Sequence, residues 1–310
     1  MTDALDAIQQ PTPVALPGRD SVYLIGKREA LALKAALAAR RPLLVRGLPG
    51  CGKSQLAHAA AALLGRGLVA ATVDARTEPH DLLYQRDDVG RLAAAQIAGA
   101  VRTDEALAAM ALERFIIPGP LWWGLSPGTA RTQAGVCGRK VPISMEKSSA
   151  AVVLVDEIDK AEEAIPNALL DAFGQRGFDV PGYGRVGDDG PDPLIILTTN
   201  EERPLSDAFV RRCLVLRLEL PRDRDGLVTH LELRGQAHFK AMDPMVIKKA
   251  AGIIAGDRLE LLEQEQPAPG MAEFVDLLRA VDTLRPGDAE GQKVLLDQLS
   301  EFVLKKHLEL

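Results

Sequence analysis

A glycine-rich segment that ends in a lysine and a serine carries the strongest chemical signal in this chain. Residues 47–54 read Gly-Leu-Pro-Gly-Cys-Gly-Lys-Ser and match the phosphate-loop pattern G-x-x-x-x-G-K-[ST] in full. Glycines let such a backbone wrap tightly and aim its N–H groups at phosphate oxygens, which also face the positive end of a following helix. We expect Lys53 to reach the β- and γ-phosphates of a nucleoside triphosphate and the Ser54 hydroxyl to bind Mg²⁺. The nucleotide contacts expected here are Gly47, Leu48, Pro49, Gly50, Cys51, Gly52, Lys53, Ser54 and Gln55.

Polar side chains that suit hydrolysis follow two further apolar runs. Asp156 and Glu157 come directly after the run 152–155, and Asn200 follows the run 194–197 and two threonines. At the carboxyl end of a strand beside a phosphate loop, the first acid binds Mg²⁺ and the second polarises the attacking water. An asparagine there orients that water toward the γ-phosphate. We therefore expect Asp156 to bind metal together with Ser54, and Glu157 and Asn200 to be catalytic.

Two adjacent arginines, Arg211 and Arg212, end a short predicted helix just before another apolar run. One interpretation is a solvated pair that favours the negative end of the helix dipole. The other is an arginine finger that reaches the γ-phosphate in a neighbouring subunit, a role worth about 10³–10⁵ in rate. The residues alone leave both interpretations open.

The elements that must position these side chains form an α/β series. The short apolar runs are rich in β-branched residues and lack alternation, as is typical of strands buried on both faces of a parallel sheet. Helical segments between them complete βαβ units. The gap of about 80 residues after the second strand must hold inserted structure. The predicted strands are Leu43–Val45, Val69–Val73, Val152–Val155, Leu194–Leu197 and Leu214–Leu216.

Composition changes along the chain predict three parts. Prolines and Gly18 within residues 1–20 indicate a poorly ordered leader, residues 21–220 an α/β core, and residues 221–310 an all-helical domain. Within the inserted structure, Thr103–Arg114 is expected to be helical and 118–124 to be a rigid turn. For the Trp122–Trp123 pair, an anchor in the core or of the insert is favoured about two to one over an exposed partner-binding surface. Residues 182–193 are expected to form a loop or the tip of a hairpin.

Overall charge and cysteine usage narrow the function classes. A net charge of -6 disfavours a dedicated nucleic-acid binder. Three widely spaced cysteines form no zinc-ligand pattern and indicate a reducing compartment. No signal peptide and no run of about 18 apolar residues is visible. We expect a cytoplasmic protein with no membrane span.

The motifs in this order resemble an AAA+ ATPase. The phosphate loop, VVLVDEID (152–159), ILTTN (196–200) and AFVRRC (208–213) carry that resemblance. The segment 156–173, the GPLWWGLSP segment (119–127) and the helical tail are similar to the MoxR-type branch. The resemblance covers about residues 20–285.

This resemblance implies a specific architecture and mode of action. It implies a P-loop core with strand order 5-1-4-3-2, a C-terminal helical lid, and ATP with Mg²⁺ bound between core and lid. Subunits of such proteins form rings, usually hexamers. Arg212 takes the family's finger position, with Arg211 as the fallback. MoxR-like proteins act as chaperone-like remodelers of a protein client, often with a von Willebrand factor A partner. The residues implied at adenine are Val22, Tyr23 and Ile25.

One departure from the family pattern and two alternatives accompany this interpretation. The lid's usual second sensor arginine is absent from residues 268–275, and Arg279 lies about two turns into the following helix.

The first alternative is a nucleic-acid motor, which arginines in the first insert allow and the acidic balance opposes. The second is a nucleotide-gated scaffold that does not hydrolyse, which the intact Asp156 and Glu157 oppose.

Overall fold

The fold is built on five strands that form one sheet in a computed structural model, which describes residues 3–18, 21–101, 110–162, 164–187 and 190–304. The described residues also contain three two-stranded sheets, β1 with β2, β5 with β6 and β8 with β9. All strands, in chain order, are β1 (Thr12–Ala15), β2 (Val22–Ile25), β3 (Leu43–Arg46), β4 (Gly67–Thr72), β5 (Tyr84–Arg86), β6 (Ile116–Pro118), β7 (Ala151–Asp156), β8 (Gly177–Val180), β9 (Gly184–Gly187), β10 (Leu194–Thr199) and β11 (Leu214–Arg217).

The α-helices flank this sheet and then form the C-terminal part of the chain. They are α1 (Asp3–Asp6), α2 (Lys27–Ala39), α3 (Lys53–Leu64), α4 (Asp88–Val101), α5 (Pro120–Leu125), α6 (Pro127–Val136), α7 (Ala164–Gln175), α8 (Asp207–Arg212), α9 (Arg224–His238), α10 (Pro244–Glu263), α11 (Met271–Leu284) and α12 (Ala289–Leu304). Short 3₁₀ helices span Leu112–Phe115, Ile143–Met145 and Ile158–Lys160. None of the helices in the described residues is long and apolar enough to cross a membrane.

The main sheet has the order β11-β3-β10-β7-β4. This is the predicted order 5-1-4-3-2, and all five predicted strands are confirmed. Strand β10 pairs in parallel with both β3 and β7, and β4 pairs in parallel with β7. The apolar residues of β7 and β10 are buried because helices cover both sheet faces, which explains why these strands read as unbroken apolar runs.

The chain divides into two compact units, and the division is not a single cut. The first unit comprises Met1–Gln9, Lys27–Arg46 and Ala60–Leu216, and the second comprises Gln10–Gly26, Gly47–Ala59 and Arg217–Leu310. The first unit has its core on the sheet and the inserted segments. The second has its core among the C-terminal helices, whose largest buried side chain is Phe274. The phosphate loop thus belongs, by its contacts, to the unit that contains those helices.

The expectation of a poorly ordered leader over residues 1–20 is wrong for the described part of that segment. Residues 3–6 form α1, and β1 pairs antiparallel with β2, with Pro13 opposite Leu24. The prolines indicated a loop, but a proline is tolerated in a two-stranded ribbon, where one side needs no ladder bond. Val14 and Leu16 are buried, and this alternation marks the strand.

The inserted segment contains a helix where a rigid turn was expected. Residues 120–125 form α5, which begins with a proline, a residue that the first helical position tolerates. Trp122 and Trp123 are buried in the core, and the Trp122 indole donates to Thr129 Oγ1 at 2.9 Å. The Trp122 ring also meets the Tyr183 ring edge-on at 4.7 Å. The anchoring interpretation of the tryptophan pair is therefore confirmed.

Two other predictions for the inserts have different outcomes. Most of the helix expected over Thr103–Arg114 lies outside the described residues, and its end belongs to a 3₁₀ helix. The loop or hairpin tip expected over residues 182–193 is confirmed in part, since β8 and β9 pair antiparallel around a turn at residues 181–183, but β9 itself lies within the expected loop.

Candidate active site

The phosphate loop begins at Gly47, directly after the last residue of β3, and leads into α3. Two of its glycines are required by close approach as well as by backbone conformation. A Cβ at Gly47 (φ +155°) would lie 2.4 Å from the carbonyl oxygen of Leu218, and one at Gly52 (φ +91°) would lie 3.2 Å from the Tyr23 ring. A side chain at either position would therefore push the loop out of shape.

Lys53 folds back into the curve of this loop. Its side chain is buried, and its Nζ donates to the carbonyl oxygens of Gly47 at 2.7 Å and Leu48 at 3.0 Å. The loop therefore wraps around the ammonium at the start of α3, where an anion is stabilised by the helix dipole. Binding of a phosphate there requires Lys53 to exchange carbonyl acceptors for phosphate oxygens.

The residues expected at adenine lie on β2, which belongs to the same unit as the loop. Tyr23 is buried and packs its ring on Gly52, Ile25 has no exposed surface, and Val22 is half-buried. Their contact with adenine stays a prediction.

A buried arginine that the sequence reasoning missed lies beside the phosphate loop. Arg258, on α10, donates to the carbonyl oxygens of Pro269 at 2.7 Å and Ala268 at 3.4 Å. Burial lowers its pKa, which Cys51 and Glu273 partly offset, and burial raises the pKa of the Cys51 thiol. The signal was present in the sequence, because Arg258 falls three and four residues after Ala255 and Ile254 on the buried face of α10.

The start of α11 contacts the same loop. A Cβ at Gly50 would lie 3.6 Å from both Ala272 Cβ and Glu273 Oε2, which is ordinary van der Waals distance. Glu273 also accepts a hydrogen bond from the Gly270 backbone N–H at 2.9 Å and so caps the helix start. Residues 270–273, in the region where the family's second sensor arginine is absent, therefore lie against the phosphate loop through Gly270, Ala272 and the Glu273 carboxylate.

In the sheet-containing unit, the predicted acids lie at the end of β7 and are joined to β10 by a threonine. The Thr198 hydroxyl hydrogen-bonds to Asp156 Oδ1 and accepts the Glu157 backbone N–H at 3.0 Å. Glu157 has a left-handed backbone, with φ of +61°. Thr198 is fully buried, and sequence reasoning did not single it out. It orients the Asp156 carboxylate and binds the backbone at Glu157.

Both carboxylate oxygens of Glu157 are engaged. Asn200 Nδ2 donates to Oε1 at 3.3 Å, and Lys160 Nζ donates to Oε2 at 2.8 Å. The same hydrogen bond raises the pKa of Lys160. The structure thus brings Asn200 to Glu157, as the sequence predicts, and adds Lys160. A water molecule that gives its proton to Glu157 competes with these two donors for the carboxylate oxygens.

The two arginines of α8 lie at the opposite edge of the sheet. The Leu214 backbone N–H, two residues after Arg212, donates to Pro42 O at 2.8 Å, where β3 begins. Glu157 and Asn200 instead follow the ends of β7 and β10. A six-residue strand is about 20 Å long, so neither arginine reaches Glu157 of its own chain. Both side chains are exposed, and among the described residues neither has a hydrogen-bond or ion-pair partner.

Comparison with known proteins decides the family. A family model described as an AAA domain of the dynein-related subfamily matches residues 42–213, more than half of the chain. This chain belongs to that AAA family. The match confirms the expected AAA+ membership, and assignment of this AAA protein to the MoxR-type branch stays a prediction.

Solved structures with a similar fold include two mutants of RuvB from Thermotoga maritima. The AAA protein is 16% identical to each, with TM-scores of 0.46 and 0.43. Each alignment covers 88% of this chain and 68% of the other chain. A search among curated proteins finds no match.

Proposed function

We propose that this AAA protein hydrolyses ATP to ADP and phosphate with Mg²⁺ and uses the energy to remodel a protein client. One observation carries the hydrolytic part. Glu157 and Asn200 are hydrogen-bonded to each other at the carboxyl edge of the sheet, and β3 of the same sheet leads directly into a complete phosphate loop. Ligands of open α/β sheets bind at that edge.

Each predicted residue has one role in the reaction. Lys53 binds the β- and γ-phosphates and stabilises the charge that builds up on them. A water molecule attacks the γ-phosphorus, the bond to the β–γ bridging oxygen breaks, and Glu157 takes the proton from the water. Asn200, already within hydrogen-bond distance of Glu157, orients that water.

The donor set at the predicted metal residues fits Mg²⁺. Asp156 and Ser54 would hold the ion, which would neutralise charge on the β- and γ-phosphates. Thr198 orients the Asp156 carboxylate. No cluster of three or more His, Cys, Asp or Glu side chains suited to a metal occurs in the described part of the chain. Mg²⁺ needs none, because it keeps several waters and binds substrate phosphates.

Trans action by an arginine finger requires a neighbouring subunit. Arg211 and Arg212 lie about one strand length from Glu157 of their own chain, so they serve a neighbouring subunit, with Arg212 favoured by its position in the motif. A head-to-tail interface that closes gives such a ring, and we propose a hexamer.

The client is proposed from the MoxR-type resemblance of residues 156–173 and 119–127. The Trp122 anchor supports this, because it fixes an insert to the sheet so that hydrolysis in the core moves it. A partner with a von Willebrand factor A domain and a cytoplasmic location belong to the same proposal. The net charge of -6 opposes a nucleic-acid track.

Glu157→Gln tests the hydrolytic proposal. We expect phosphate release to fall at least about 10²-fold, since the amide accepts no proton, while ATP binding stays within twofold. The matched control is Glu162→Gln, an exposed acid five residues along the chain. Normal turnover by Glu157→Gln would overturn the assignment of the base. The same variant, used as an ATP-loaded trap in a pull-down, tests the client, and enrichment of a nuclease would favour the nucleic-acid alternative.

A further inference from the structure

The C-terminal turn of α8, which carries Arg211 and Arg212, is bound by a third arginine. Arg41 Nε donates to the carbonyl oxygen of Arg212 at 3.0 Å, and Arg41 Nη2 donates to the carbonyl oxygens of Arg211 and Cys213. The last carbonyls of a helix lack partners within the helix and form the negative end of its dipole. One guanidinium therefore satisfies three consecutive carbonyls at the point where the helix stops.

Arg41 is itself fixed to the sheet. Its backbone N–H donates to Ala36 O at 3.1 Å, at the end of α2, and the next residue, Pro42, accepts from Leu214 at 2.8 Å. The guanidinium is thus attached to the edge where β3 and β11 begin. Its rigid fork of five donors suits several carbonyls at once, which a lysine ammonium on a flexible stem does not match.

The direction of the finger depends on this backbone. Phe209 is fully buried and Cys213 is buried, so α8 is held on the core side at both ends. Among the described residues, the exposed side chains of Arg211 and Arg212 have no polar partner that would orient them. Their positions therefore follow from the backbone of the last turn, whose carbonyls Arg41 binds.

We propose that Arg41 is a positioning residue for the trans-acting arginine finger. This inference rests on the proposed function, because it needs ATP hydrolysis completed by a neighbouring subunit. Arg41 touches neither nucleotide nor water in this role. It holds the last turn of α8 so that Arg211 or Arg212 is presented to the next subunit.

Steady-state kinetics give the first test. We expect Arg41→Ala to lower kcat by about 10- to 100-fold, less than the 10³–10⁵ typical of a lost finger, with KM for ATP within twofold. Arg41→Lys keeps the charge without the fork and is expected to recover only part of kcat. The control is Arg40→Ala, an exposed neighbour paired with Asp192, which is expected to leave kcat within twofold. An Arg41→Ala protein with wild-type kcat would overturn the proposal.

Mixed rings separate a finger defect from general structural damage. Glu157→Gln subunits keep a finger but lack the base, whereas Arg41→Ala subunits keep the base. An equimolar mixture is expected to recover up to about a quarter of wild-type activity, since a quarter of all sites then pair an intact base with an intact neighbouring finger. Arg41→Ala mixed with the Arg211→Ala/Arg212→Ala double variant is expected to recover nothing, because every finger is impaired.

The double variant mixed with Glu157→Gln is the reference experiment. If that mixture recovers activity and the Arg41→Ala mixture does not, Arg41 acts on the fold of its own subunit and the inference is wrong, while the proposed function stands. If the double variant alone keeps the wild-type kcat, neither arginine acts as a finger in trans, and the inference about Arg41 is then also wrong.

Discussion

Glu157 is held in place by two donors of different kinds, one on each carboxylate oxygen. Asn200 is neutral and comes from the neighbouring strand, whereas Lys160 is charged and comes from the same loop. Only Asn200 was predictable, because it follows an apolar run at the edge where ligands bind. Lys160 and Thr198 were not, since their roles depend on the left-handed turn at Glu157 and on which strands are neighbours in the sheet.

Removal of Lys160 tests whether this ion pair restrains the base. The pair is partly exposed and screened by solvent, so its loss changes the population of the released carboxylate by at most about fivefold. We expect Lys160→Met to raise basal kcat up to about fivefold without change in KM for ATP. Added salt is expected to raise the wild-type rate and to leave the variant's rate unchanged, because screening weakens the same pair.

The exposed Lys147 provides the matched control for that measurement, and Lys147→Met is expected to keep the wild-type rate and its salt dependence. A lower kcat in Lys160→Met would contradict the prediction and would show that Lys160 holds Glu157 in its productive position.

The secondary-structure elements of the phosphate-binding region differ in whether a local sequence pattern predicts them. The strand, loop and start of α3 follow from a local pattern in residues 43–54, and the structure has them as predicted. The resemblance implied β2 at the nucleotide, but the contact of α11 with the loop and the interaction of Arg258 on α10 with Cys51 do not follow from any local pattern, because they depend on tertiary packing. The β1–β2 ribbon was not predicted for a related reason, since Pro13 is compatible with a strand only because of where it lies against its partner strand.

Arg258 is the residue through which α10 supports this region. Its guanidinium holds the backbone just before α11, and the first turn of α11 contacts Gly50. We expect Arg258→Met to leave two carbonyl oxygens without a donor, to loosen that turn and to weaken ATP binding about tenfold, with a smaller effect on kcat. Titration with a fluorescent ATP analogue and the kinetic constants measure this.

Lys248→Met is the control on the same helix, because Lys248 is exposed and is expected to leave affinity unchanged. If Arg258→Met bound the analogue as tightly as the wild type, α10 would have no part in shaping the phosphate loop. A parallel thermal denaturation shows whether a loss of affinity accompanies general loss of stability.

For the whole molecule, the division into two units explains which part of the organisation the sequence predicts. The all-helical character of residues 221–310 was expected, and α9 and α10 begin directly after Asp223 and Asp243, whose side chains cap the first turn of each helix. The sequence did not predict that the second unit also includes residues 10–26 and 47–59. Membership there is set by contacts such as those of Gly47 with Leu218 and of Gly52 with Tyr23, which local patterns do not encode.

Acid stability of the molecule is expected to depend on α9, in the second unit. Burial lowers the pKa of His230 to about 4, with Arg234 as a secondary cause, and burial also lowers the pKa of His238, near Arg279 and Arg234. The unfolded chain binds a proton at His230 below its ordinary pKa of 6.5, whereas the folded chain does so only near 4. Stability is therefore fully present above pH 6.5 and is lost as the pH falls toward 4.

Thermal denaturation at pH 7 and pH 5 checks this dependence. The wild-type melting temperature is expected to be lower at pH 5 than at pH 7. The side chain of His230→Gln cannot be protonated in this range, so the decrease in melting temperature of this variant is expected to be about 5 °C smaller. His80→Gln, in the first unit, controls for loss of any one histidine and is expected to follow the wild type. Since the desolvation that lowers the pKa comes from packing in the second unit, a His230→Gln curve parallel to the wild type would show that this packing opens before the proton is bound.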